Sequence, residues 1–224
     1  MCIRDSLRAV IATVLLDPEA RGAAGLASPQ YGRLREPMVR FVQWGRTFGL
    51  RSARGTWKID NLSDPATRLG QSPLRSGSVF NFFRPGYVPP STPLATTGQV
   101  APEFQIVTET SVSGYLNFMQ NVIRFGYYVN APDLPQGSSS AANGFDITCS
   151  YANLLPLVAD AAALVRKVAL LLSAGQVSAA TQARIVAALN ATPVTATSNA
   201  ATQLNRVAAA VLLVMASPEY LVQK

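Results

Sequence analysis

A chain of 224 residues, 49% hydrophobic and 14% charged, is long enough to bury about 70% of its unfolded surface. It carries far less charge than the roughly 25% of an average soluble domain. The net charge of +7 is uneven: residues 1–84 hold 13 of the 19 Lys and Arg, 12 of them Arg, against 6 of the 12 Asp and Glu. Histidine is absent, which removes Ser-His-Asp and Cys-His catalysis, HExxH zinc sites and histidine proton shuttles from this stretch.

Residues 1–6, MCIRDS, read as an artefactual, adapter-derived leader of a metagenomic fragment. Residues 7–224 read as a single, mostly helical domain, the C-terminal part of a larger protein. Leu7, Val10, Ile11, Val14 and Leu15 follow the spacing of an amphipathic helix, which Asp17-Pro18-Glu19 stops while capping a new turn. Gly22 to Gly32 reads as loop. Glu36-Pro37 opens a second helix with Met38, Phe41, Val42 and Phe48 on one face. Residues 49–75 read as an Arg- and Gly-punctuated connection, with a short helix begun by Asp64-Pro65.

Ala101-Pro102-Glu103 starts a long helix to about Ile123, with Phe104, Val107, Tyr115, Met119 and Val122 in one stripe. Residues 129–144, rich in Pro, Gly, Ser and Asn, read as a flexible loop, and Phe145–Tyr151 as one short strand. Three alanine-rich helices follow. Asp160 caps the first and Gly175 ends it, Ser178 caps the second, and the last runs from about Ala200 to Ala216 before Ser217-Pro218-Glu219. The fold class is therefore mainly α: a multi-helix bundle with long Pro/Gly-rich loops and at most one short strand or hairpin. The longest apolar run, Val207–Ala216, is far short of the roughly 20 residues of a membrane span.

The segment Leu69 to Pro90, LGQSPLRSGSVFNFFRPGYVPP, packs aromatics and arginines among turn formers. With LLDPEARG at 15–22, LREPMVRFVQW at 34–44 and MASPEY at 215–220, it resembles the C-terminal half of the bacterial family called domain of unknown function 1800. Gly77 stands where such proteins tend to carry proline. The resemblance implies a longer exported protein, periplasmic or extracellular, with no established catalytic residues. Its expected partners are the missing N-terminal half of the same protein or a co-encoded exported protein.

Arg75, Asn81, Arg84 and Tyr87 form the best candidate ligand site. An arginine fork among Phe80, Phe82, Phe83 and Tyr87 would bind an anion or a glycan hydroxyl strongly if partly desolvated. The competing reading makes the phenylalanines core and has Arg84 cap carbonyls beside the Pro85-Gly86 turn. Gln105 and Glu109, one helical turn apart, join the candidates. Glu103 reads as a helix-dipole residue. Asp60, Asn61, Ser63 and Asp64 lack the spacing of a calcium loop and read as capping. No P-loop, GxGxxG, G-x-S-x-G elbow or CxxC is present, so no metal or cofactor is expected. Two cysteines, Cys2 and Cys149, make no disulfide framework.

Three functions remain in view. The first is a structural or interaction module that docks on its missing N-terminal half or a partner. The second is the substrate-binding part of a hydrolase-like enzyme acting on an envelope or extracellular polymer. The third is polyanion binding through the Arg-rich N-terminal third, although nucleic acid is not the expected partner.

Overall fold

The computed structural model describes residues 6–28, 31–129 and 144–224. Helix α1 (Leu7–Leu16) is capped by Ser6, whose hydroxyl accepts from the Ala9 amide at 3.3 Å. Asp17 then caps the short α2 (Pro18–Arg21), accepting from the Glu19 amide at 2.8 Å. A second short helix, α3 (Ala23–Ala27), occupies part of the stretch expected to be loop. Its first turn is all small residues, so nothing in the apolar spacing announces it.

Strand β1 (Arg33–Leu34) leads into α4 (Pro37–Thr47), which begins where Glu36-Pro37 predicts. The buried face of α4 differs from the expected one. Trp44 is 0% exposed and Arg40 is buried, while Val42 is exposed. The Trp44 Nε1 donates to the Tyr151 hydroxyl at 3.0 Å, which in turn donates to the Ile123 carbonyl at 3.1 Å. This buried chain gives both polar rings the partners that burial demands.

After strand β2 (Arg51–Ser52) comes the long irregular segment, interrupted only by α5 (Pro93–Thr96). Asp64 organises one turn here, accepting from the Ala66 amide at 2.9 Å and from the Thr67 hydroxyl. That turn does not extend into a helix. Asn61 accepts from the Ser63 amide at 3.0 Å, and Asp60 pairs with Arg68 at 3.1 Å. The oxygen-rich stretch is thus used up in turns and an ion pair, and no group of three acidic or cysteine residues fit to hold a metal exists among the described residues.

The long helix expected from Ala101 to Ile123 is two elements. A 3-10 turn covers Pro102–Ile106, and α6 covers Glu109–Phe125. Thr108 breaks the run: its hydroxyl accepts from the Ser111 amide at 3.1 Å while the Ser111 hydroxyl accepts from the Thr108 amide at 2.8 Å. This reciprocal box starts a new helix and rotates Val107 out of the stripe, leaving it exposed. Within α6, a Cβ on Gly114 would stand 2.2 Å from the Pro65 carbonyl oxygen, so glycine is what lets the 65–66 turn lie against the helix.

More strand exists than the single one expected. Strands β3 (Tyr127–Val129) and β4 (Gly144–Thr148) pair antiparallel, and β2 joins the other edge of β4. Most of the predicted 129–144 loop lies outside the described residues. Asp146 on β4 is fully buried; it accepts from the Ser52 hydroxyl, and from the Arg54 amide and Thr56 hydroxyl at 2.6 Å each. Burial pushes its pKa up, but these hydrogen bonds outweigh it and leave the carboxyl below its ordinary value.

A short 3-10 turn at Leu155–Leu157 precedes the C-terminal bundle of α7 (Ala161–Ser173), α8 (Ala179–Asn190) and α9 (Ala200–Met215). Asp160 and Ser178 cap as expected, accepting from the Ala163 and Thr181 amides at 2.9 and 3.2 Å. At the end of α7, Ala174 takes the left-handed conformation (φ 50°) as well as Gly175 (φ 80°). Helix α9 packs on α6, α7 and α8, burying Val207, Val211 and Val214. Ser217 caps α10 (Pro218–Leu221), and β5 (Val222–Gln223) returns to pair with β1. Among the described residues no helix is long and apolar enough to cross a membrane.

Candidate functional site

The sequence-predicted ligand residues do not converge. Asn81, at a positive φ of 71° that asparagine tolerates better than most residues, donates from Nδ2 to Glu36 Oε2 at 2.7 Å. Gln71 donates from Nε2 to the same oxygen at 2.7 Å and accepts from the Met38 amide at 3.3 Å. One buried glutamine side chain thus serves both as helix cap for α4 and as partner for a carboxylate. Arg33 completes the cluster, 3.6 Å from Glu36 Oε1 and 2.8 Å from Glu103 Oε1. Glu103 is buried, so it works as an ion-pair partner rather than as a solvated residue at a helix start.

Beside this cluster runs a groove of about 290 Å³ with Glu36, Val39, Gln71, Leu74, Asn81 and Phe82 among its walls. A second groove of about 360 Å³ adjoins it through Met38, Ser72 and Pro73, and Arg75 lines that one. Arg75 and Asn81 therefore border neighbouring depressions.

The other four candidates lie elsewhere or do other work. The Arg84 backbone amide, not its guanidinium, donates to Gln105 Oε1 at 2.7 Å, so Gln105 fastens the loop. The Arg84 side chain is exposed, outside the desolvated aromatic setting expected for it, because Phe80 is itself exposed. Tyr87 is held by its backbone, its carbonyl accepting from the Ala101 amide at 2.8 Å. Glu109 sits exposed in the first turn of α6, where a carboxylate favours the helix dipole.

What the grooves offer is hydrogen bonding: Glu36 meets two amide donors and a guanidinium, and Ser72 and Ser76 share the lining. Burial pushes the Cys149 thiol up to about 12, leaving it a protonated, unreactive group at neutral pH. Sequence reasoning missed Glu36, Gln71 and Arg33 as a set. The available signal was the place of Glu36 inside LREP and of Gln71 inside LGQSP, with Arg33 immediately before the first string.

A family model described as Protein of unknown function (DUF1800) matches residues 4–222, nearly the whole length. The chain belongs to this family. The DUF1800 match runs from before α1 to the first residue of β5. No curated protein and no solved structure matches the chain.

Proposed function

We propose that this DUF1800 chain is a bacterial structural and interaction module that docks on an apolar, acid-rimmed protein surface. That surface belongs either to its own missing N-terminal half or to a co-encoded partner, exported with it to the periplasm or beyond. The observation that carries the reading is α1: it contains no buried residue, although Leu7, Ile11, Val14, Leu15 and Leu16 are all exposed. An amphipathic helix with nothing on its apolar face is marginal alone. A second exposed apolar tip, Leu74, Val79 and Phe80, adds to the uncovered surface. Exposed Arg8 within α1 favours an acidic group on whatever covers the helix, while exposed Arg21 stands close to the exposed Asp17 and Glu19.

The test places a photo-crosslinking residue at Ile11 in source cells and identifies the captured peptide by mass spectrometry. The expected peptide is apolar with flanking Asp or Glu, and its capture is lost at high salt or on Arg8→Glu. Capture of lipid alone or of a second copy of the chain overturns the reading. So does α1 amide protection equal to that of α9 in the isolated chain.

A second reading, the substrate-binding part of a hydrolase-like enzyme on an envelope or extracellular polymer, draws on the adjoining grooves at Asn81 and Arg75. It predicts that Asn81→Ala weakens binding of glycan fragments to the isolated chain. Polyanion binding would draw instead on the exposed Arg75 and Arg84, and predicts affinity that falls steeply with salt.

A further inference from the structure

Arg40 is 5% exposed and makes no ion pair with any described carboxylate. Its Nε donates to the Arg35 carbonyl at 2.8 Å, and its guanidinium carbon lies 4.5 Å from the centre of the Tyr115 ring. Tyr115 is also 5% exposed, and its hydroxyl makes no hydrogen bond of good geometry, the Arg40 guanidinium being the polar group beside it. The carboxylates of the neighbouring cluster are committed elsewhere: Glu36 to Gln71 and Asn81, Glu103 to Arg33. An unpaired buried cation beside an unsatisfied hydroxyl is costly on both counts.

Both side chains line one small cavity of about 140 Å³ between α4, α6 and the C-terminal end of the chain. Its other walls are apolar, Leu34, Ile106, Leu116 and Leu221 among them. The Ser111 hydroxyl, also in the lining, is already bonded to the Ile106 and Thr108 carbonyls. Val107 and Val112 reach the lining yet remain exposed, which marks the open side. A cavity of roughly 150 Å³ is large enough for a molecule the size of benzene.

We infer that this cavity binds a small monocarboxylate with a short apolar body, its carboxylate held by the Arg40 guanidinium and the Tyr115 hydroxyl. Arginine matches a carboxylate in a bidentate fork, and the apolar walls take the hydrocarbon. Burial raises the Tyr115 pKa, so its hydroxyl keeps the proton it donates. The site is separate from the docking surface and from the Glu36 grooves, and it stands or falls independently of them.

The experiment titrates hexanoate into the purified chain by calorimetry, with hexanol, hexylamine and inorganic phosphate as controls. Hexanoate is expected to bind and to raise the melting temperature, while the three controls do neither. Tyr115→Phe removes only the orphaned hydroxyl, so the fold persists and affinity falls by about 3- to 10-fold. Arg40→Met lowers it by more than about 10-fold. No hexanoate binding to the folded chain overturns the inference. Equal binding of hexanol, or unchanged affinity in a folded Tyr115→Phe, does the same.

Discussion

Two arginines are buried to the same degree, Arg206 in the C-terminal bundle and Arg40 in the arginine-rich half, both 5% exposed. Arg206 on α9 reaches the end of α8, donating to the Leu189 and Thr192 carbonyls at 3.0 and 2.9 Å and to Asn190 Oδ1 at 3.0 Å. There it meets carbonyls at and just past the helix end, Leu189's already accepting from the Thr192 amide at 3.3 Å, and the negative end of the helix dipole. Arg40 meets one carbonyl, a ring face and a cavity. The same contrast runs through the two regions. The bundle engages both terminal nitrogens of its buried arginine, leaving only Nε without a partner, and buries its apolar stripes. The first third leaves α1 bare and carries all of the positive excess.

The comparison is broken or sharpened by five substitutions. Leu164 of α7, 0% exposed, anchors the bundle, and Leu164→Ala is expected to cost about 2–5 kcal/mol in urea unfolding. A much smaller loss would mean the bundle is not the stable core. Arg206→Met removes the donors to the Leu189 and Thr192 carbonyls and to Asn190 Oδ1 and is expected to cost about 1–3 kcal/mol. Arg40→Met should instead be neutral or stabilising in the absence of ligand. If both substitutions cost the same, the contrast between the two arginines is wrong.

Asp146 comes next. Its folded pKa lies below the ordinary value of 3.8, so the ionised form stabilises the fold above that value. This contribution is lost as pH falls through the depressed folded pKa. Asp146→Asn is expected to lower stability by about 1–2 kcal/mol at pH 7 and to flatten the acid limb of a thermal melt series below about pH 4. A parallel acid limb in the variant would assign that loss to other carboxylates. The smallest effect is expected at α1, where Ile11→Ala shifts stability by no more than about 0.5 kcal/mol. A loss above 1 kcal/mol would show that α1 packs on this chain after all, and would remove the main support for docking.

Legibility followed range. The caps at Asp17, Asp160, Ser178 and Ser217 were readable because the side-chain acceptor and the amide it serves lie two or three residues apart. The break at Thr108 is equally local, but the apolar stripe ran through it and masked the capping pair with Ser111. Of the strands only β4 was readable, Gly144–Thr148 overlapping the expected Phe145–Tyr151. Arg33 pairs with Gln223, and Arg51 with Thr148, so the partner that makes each two-residue strand lies far along the chain. Of the candidate site, Asn81 was named for its amide, but its use on Glu36 was hidden for the same reason.

What the sequence alone determined is the helical class, the starts of α1, α2, α4, α7 and α8, the family and the lopsided charge. Each rests on neighbouring residues or on composition, which no packing alters. Only the tertiary structure decided that Glu36 gathers Gln71 and Asn81, that Gly114 must lack a side chain, and that Arg40 and Tyr115 share a cavity while Arg206 closes a helix. Those are contacts between segments distant in the chain. Whether a buried arginine is satisfied depends on what folding brings to it, and nothing beside it in the sequence carries that information.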